Sequence, residues 1–244
     1  MKKLLVIQSN YIPWKGYFDA INAVDEFILH DDRQYTKNDW RNRNKIKTTK
    51  GPEWLSIPVK IKSVHLQRID EAQVADPQWN KSHWQKIQAN YSKAPFFKEY
   101  KDLFAEMYNT QETYLSKINY HFITSINKLL GITTPIRWST EFNLTDVGKN
   151  ERLIDLCHQT GTTDYYSGPA AKNYMNEALF KEAGINVHWL DYSGYPVYSQ
   201  LHGEFTHELS IIDLIFNEGP NAKNFLKSFT GKPMVQKTNI SAAI

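Results

Sequence analysis

Cysteine is nearly missing from this chain: Cys157 stands alone in 244 residues. One thiol excludes an intramolecular disulfide framework and fits a reducing compartment. It sits in LIDLCHQTG, which has helical character, so a small core residue is a better reading than a nucleophile. Long apolar runs are absent too, and none approaches the ~18–20 residues of a membrane span. The opening MKKLLVIQSNY ends its apolar run at Gln8, short of a signal-peptide core, and no small-residue cleavage site follows. Cytoplasmic residence is the expectation. His30, His65, His83, His121, His158, His188, His202 and His207 form no HExxH or comparable ligand pair, so no metal site is expected. No GxSxG or Cys/His signature occurs either. The two signs of charge are nearly balanced. A net +3 gives little reason to expect a DNA partner.

What is present suffices for a core. Hydrophobic residues make up 41% and aromatics 14%, enough for one large domain or a domain carrying an insertion. Lys3–Ile7 reads as a buried strand, Lys15–Val24 as a short helix after Pro13, and Glu26–Leu29 as a second buried strand. Glu53–Ile61 reads as a third, with Pro58 marking an edge or bulge. From Asp76, a candidate N-cap with Pro77 behind it, the period turns helical through Leu130. Strand–helix alternation then resumes at Ile136–Ser139, Asp164–Tyr166, Asn173–Glu182 and Asn186–Leu190, with a last apolar segment at Leu209–Phe216. This pattern predicts an α/β fold: a three-layer, Rossmann-like domain with a mostly parallel sheet and an all-helical insertion. The expected division is a discontinuous α/β domain over 1–76 and 132–220, the insertion over 77–131, and a polar C-terminal tail over 221–244.

Polar residues gather where the predicted strands stop, the usual layout of an α/β site rim. Asp31 and Asp32 follow the second strand. Adjacent carboxylates there can accept a proton, hold a cation, or simply form a solvated turn. Between Arg33 and Lys50 lie seven basic residues and one acid, Asp39. In an extended chain Arg41, Arg43, Lys45 and Lys47 share one face. That face is either an anion site, with Asn42 beside it for sugar hydroxyls, or a basic edge that discourages strand pairing. Ser167 and Gly168 follow another strand, with Lys172 on the entering helix. Backbone N–H groups there suit a phosphate or carboxylate, but the glycine spacing is not that of a P-loop, and a plain strand–helix turn is the better reading of the segment taken alone. Trp79 and Trp84 read as core, not as a base-stacking platform.

The segments IQSNYIPWKGYF, DDRQYTKNDWRNRNKIK, YYSGPAAKNY, PVYSQ (Pro196 to Gln200) and LSIIDLIFNEG, in that order, resemble the WbqC-like family of bacterial proteins. The likeness runs nearly end to end. Ser9 stands where the family typically has proline, a change that loosens the first loop. The resemblance implies a cytoplasmic enzyme of surface polysaccharide (O-antigen) production. The expected activity is a transferase that modifies a nucleotide-linked amino sugar by acyl or aminoacyl (glycyl) transfer to the sugar amine. The alternatives are a non-catalytic sugar-nucleotide-binding module and an ATP-using ligase or nucleotidyltransferase-like enzyme. A fainter similarity links Trp14-Lys15-Gly16-Tyr17 to the His-x-Gly-His turn of nucleotidylyltransferases; the glycine fits and both histidines are missing. Cofactor and acyl or aminoacyl donor stay unnamed, and a homo-oligomer is left open.

On this reading Asp31 or Asp32 deprotonates or orients the attacking amine, because an ammonium must lose a proton to become a nucleophile. Arg41, Arg43 and Lys45 hold the diphosphate. Gln8, Asn10, Tyr11 and Asn42 bind hydroxyl or carbonyl groups, with Gln34 and Tyr35 as further substrate contacts. Ser167, Gly168 and Lys172 take a second anion, and Tyr198 and Gln200 line the same cleft. All of these groups are expected to converge on one pocket.

Overall fold

The chain runs through β1 (Lys3–Ile7), α1 (Lys15–Asn22) and β2 (Glu26–Leu29), then a hairpin of β3 (Arg43–Thr48) and β4 (Gly51–Ser56). A short pair, β5 (Val59–Lys60) and β6 (Gln73–Val74), leads into α2 (Trp79–Tyr91), α3 (Phe97–Tyr108) and α4 (Leu115–Leu130). After these come β7 (Ile136–Trp138), α5 (Lys149–Thr160), β8 (Asp164–Ser167), α6 (Glu177–Glu182), β9 (Asn186–Trp189) and α7 (Ile211–Glu218). This is a computed structural model, and it describes residues 1–61, 67–144 and 148–236. His65 and the terminal SAAI lie outside the described residues.

The central sheet has five strands in the order β7-β2-β1-β8-β9, all parallel. The inner strands β1 and β2 are apolar because both faces are covered. Leu5, Phe27 and Leu29 join the core formed with Phe18 of α1, Phe122 of α4 and Ile215 of α7. Leu4, Val6 and Ile28 point the other way, onto Leu153, Leu156 and Cys157 of α5 and Phe180 of α6. Each fully buried Leu, Ile or Phe contributes ~1.5–3 kcal/mol, so the two-residue alternation of these side chains fixes the register firmly. The fold is a Rossmann-like α/β domain, with three helices inserted between β6 and β7.

Three boundaries differ from expectation. The strand expected over 53–61 is split into β4 and β5, because Pro58 has no N–H to donate; its carbonyl instead accepts from the Ala75 N–H at 2.8 Å. The helix expected from Pro77 begins at Trp79, since Asp76 Oδ1 accepts from the Gln78 N–H (2.8 Å) and closes a turn first. The segment expected as a helix over 173–182 is a 3₁₀ turn, Pro169–Asn173, followed by α6. Asn176 caps α6, its side chain accepting from the Ala178 N–H at 3.1 Å. Beyond Pro220 the chain packs onto the domain as far as residue 236: Ala222, Leu226 and Met234 are buried.

Candidate functional site

The order of strands reverses at β1. The chain lays β2 and β7 to one side, then places β8 and β9 on the other. The loops leaving β1 and β8 therefore diverge and open a crevice at the carboxyl edge of the sheet. A cavity of about 660 Å³ occupies that position. Gln8 lines it after β1, His30 after β2, and Ser167 and Gly168 at the end of β8 and just past it. Lys149 and Arg152 reach it from the first turn of α5, and Arg33 and Gln34 from the loop beyond β2.

One carboxylate organises the positive groups. Asp32 accepts from the Ser139 hydroxyl at 2.7 Å, from Arg33 at 3.2 Å, and from the buried Arg152 guanidinium. Burial alone raises its pKa, but the bonds from Ser139 and Arg33, with the charges nearby, outweigh that and hold it below the usual carboxylate range. His30 Nε2 lies 3.6 Å from Asp32 Oδ1, beyond hydrogen-bond reach. Burial is the main cause that lowers the His30 pKa to about 4, so the ring is neutral at physiological pH. Asp31 behaves differently. It is buried, accepts from the Ser9 N–H at 2.7 Å and from the Ser116 hydroxyl, and burial raises its pKa.

The first loop is tied from several sides. Arg41 donates to both Gln8 Oε1 and Asn10 Oδ1, so three of the residues expected at the site do meet. Asn44 Nδ2 donates to the carbonyls of Ile12 (2.9 Å) and Tyr11 (3.2 Å). These bonds hold Ile12 at φ +36°, a conformation β-branched residues rarely adopt. Ser9 does not loosen the loop. Its N–H bonds Asp31 and its hydroxyl accepts from Asn119 Nδ2 at 2.9 Å, and a proline could supply neither bond.

Other candidates lie elsewhere. Arg43 stacks 4.2 Å from the Trp54 ring centroid, and Lys45 lies 5.1 Å from the same ring and 3.2 Å from Glu208. Arg43 and Lys45 thus meet on Trp54, but the expected four-cation face is not formed: Arg41 turns to the first loop and the buried Lys47 to Gln200. Asn42 Nδ2 donates to the Ile57 carbonyl at 2.8 Å. The buried Tyr11 hydroxyl meets His83 Nδ1 and the Tyr108 hydroxyl, each at 2.8 Å, and Tyr35 is also buried. Lys172 donates to Gln236 at 2.6 Å instead of lining the cavity. Tyr198 donates to the buried Asp213 at 2.8 Å, and Gln200 Nε2 donates to the Tyr198 hydroxyl at 3.2 Å. Lys47 reaches Gln200 at 2.6 Å from the other side. Among the described residues no group of His, Cys, Asp and Glu could hold a metal ion. Burial pushes the Cys157 thiol up to about 12.

Sequence reasoning passed over His30, Arg33, Lys149 and Arg152 as cavity groups. For Arg152 a signal existed: it falls on the apolar face of α5 with Leu153, Leu156 and Cys157, where an arginine requires a partner.

No solved structure matches the chain. The uncharacterized protein Rv1507c of Mycobacterium tuberculosis (strain ATCC 25618 / H37Rv) is 47% identical over 228 residues, covering 93% of this chain and 98% of that protein. The model of the WbqC-like protein family matches residues 8–225, which includes the first loop, the Asp32–Arg152 pair and the turn after β8. The chain belongs to the WbqC-like protein family.

Proposed function

We propose that the chain is a transferase of surface polysaccharide biosynthesis that modifies a nucleotide-linked amino sugar on its amine, by acyl or aminoacyl transfer. The observation that carries this reading is the cleft at the sheet reversal, where Lys149, Arg33 and Arg152 converge beside the turn after β8. Such a crevice, with cations and a helix N-terminus at its mouth, suits the diphosphate of a sugar nucleotide. Family membership is consistent with a polysaccharide-related role.

Geometry favours His30 over either aspartate as the proton acceptor. Asp31 is buried among structural bonds, and Asp32 is engaged by Arg152 and Arg33. His30 lines the cavity, is neutral, and has Asp32 at 3.6 Å to stabilise the imidazolium that forms when the attacking amine gives up its proton. The test is a single-turnover assay with a UDP- or dTDP-linked amino sugar and an activated acyl or aminoacyl donor, product read by mass spectrometry. His30→Gln should lower the rate ~10²–10⁴-fold while leaving sugar-nucleotide affinity unchanged. An unaltered rate removes His30 from the chemistry.

A second reading is a sugar-nucleotide-binding module without turnover, favoured by the engagement of both carboxylates in structural bonds. Saturable binding with no product from any donor would select it.

A further inference from the structure

We infer that the chain holds a second ligand site, a hollow on the hairpin side of the first loop that receives the pyranose ring of an amino sugar; this rests on the reading above. A hollow of about 290 Å³ lies there, with Pro13, Trp14 and Trp40 as its apolar walls and Asn10, Asn44 and Glu208 as its polar groups. A sugar ring presents a C–H face that packs on an indole, and hydroxyl and amino groups that bond amides and carboxylates. The wall composition matches both.

The aromatic walls are set in advance. The Trp14 indole folds back over Gly16, where a Cβ would meet a ring carbon at 2.3 Å. Tyr192 and Tyr195 flank that indole, with centroids at 5.4 and 5.6 Å. Trp40 is 40% exposed and leans on Trp54, which is 37% exposed, at 5.3 Å between centroids. Tryptophan is usually well buried, so an exposed indole lining a hollow calls for an occupant. Lys45 Nζ, 3.2 Å from the Glu208 carboxylate, keeps that acid at the rim, where sugar hydroxyls can donate to it.

The hollow is also joined to the cleft. Arg41 bonds Gln8, which lines the cleft, and Asn10, which lines the hollow. The diphosphate and the sugar ring would thus sit on either side of one guanidinium.

The test is a ¹⁵N-indole NMR titration of the full chain with glucosamine, with N-acetylglucosamine and, separately, with inorganic pyrophosphate. The sugars should move the Trp14 and Trp40 signals, assigned through Trp14→Phe and Trp40→Phe, and leave that of buried Trp79 in place. Trp40→Ala should weaken sugar binding about tenfold and leave pyrophosphate affinity unchanged. Glu208→Ala, at an exposed position, should weaken binding of both sugars, which keeps the test decisive if Trp40→Ala does not fold. Absent sugar shifts, or sugar affinity unchanged in both variants, would overturn the hollow. Loss of pyrophosphate binding in the parent chain would instead count against the cleft.

Discussion

Single side chains at this site are governed by burial first and by partners second. Asp31 and Asp32 are neighbours in sequence, yet burial wins at Asp31 and raises its pKa, while hydrogen bonds and cations win at Asp32 and lower it. Nothing in a DD pair distinguishes the two, so the sequence could nominate them only together. His30 and His83 show burial acting without a compensating charge strong enough to oppose it; each is lowered to about 4 from 6.5. Between those pH values the unfolded chain binds a proton at each histidine that the folded chain refuses, so both withdraw stability as pH falls through that window. The raised carboxylates Asp31 and Asp213 act with the opposite sign, losing their contribution as pH rises. His83 lies away from the cleft, its Nε2 3.2 Å from the Ser56 carbonyl, and so isolates the effect. His83→Gln should flatten the dependence of the urea midpoint on pH between 6.5 and 4. An unchanged slope would mean that His83 titrates alike in both states.

Between elements, the cleft depends on contacts that bind strand ends to helix starts. Asp32, just past β2, anchors Arg152 in the first turn of α5 and so sets where Lys149 stands. Both side chains are 8% exposed, and removing one partner takes a charged hydrogen bond out of a buried network. Asp32→Asn should therefore cost ~3 kcal/mol in urea unfolding, whatever it does to turnover; a loss under ~1 kcal/mol would show the pair to be well solvated. Gly16 serves α1 in a different way, by leaving space for the Trp14 indole. Alanine normally favours a helix over glycine by ~1 kcal/mol. Gly16→Ala should nevertheless destabilise by ~1–3 kcal/mol, because the flanked indole has to move. A stabilised variant would show that Trp14 swings freely.

Across the whole molecule, the layers and the parallel sheet were legible because buried strands and amphipathic helices carry different periods. The place of the cleft was legible in outline, since polar residues end the apolar strands at Gln8, His30 and Ser167. The guanidinium ladder misled for a physical reason. Alternation along β3 puts Arg43 and Lys45 on one face, but only the hairpin partner, β4 with Trp54, shows what that face meets. Lys149 and Arg152 come from a helix far along the chain, and strand order alone brings them to the end of β1. The claim on which the rest depends is that this cleft holds the diphosphate of a sugar nucleotide. Calorimetric titration of the full chain with a UDP-linked amino sugar, repeated on Lys149→Ala, tests it directly. The expected result is saturable one-to-one binding that weakens about tenfold in the variant and more steeply at low salt. Equal affinity in the two proteins would contradict it.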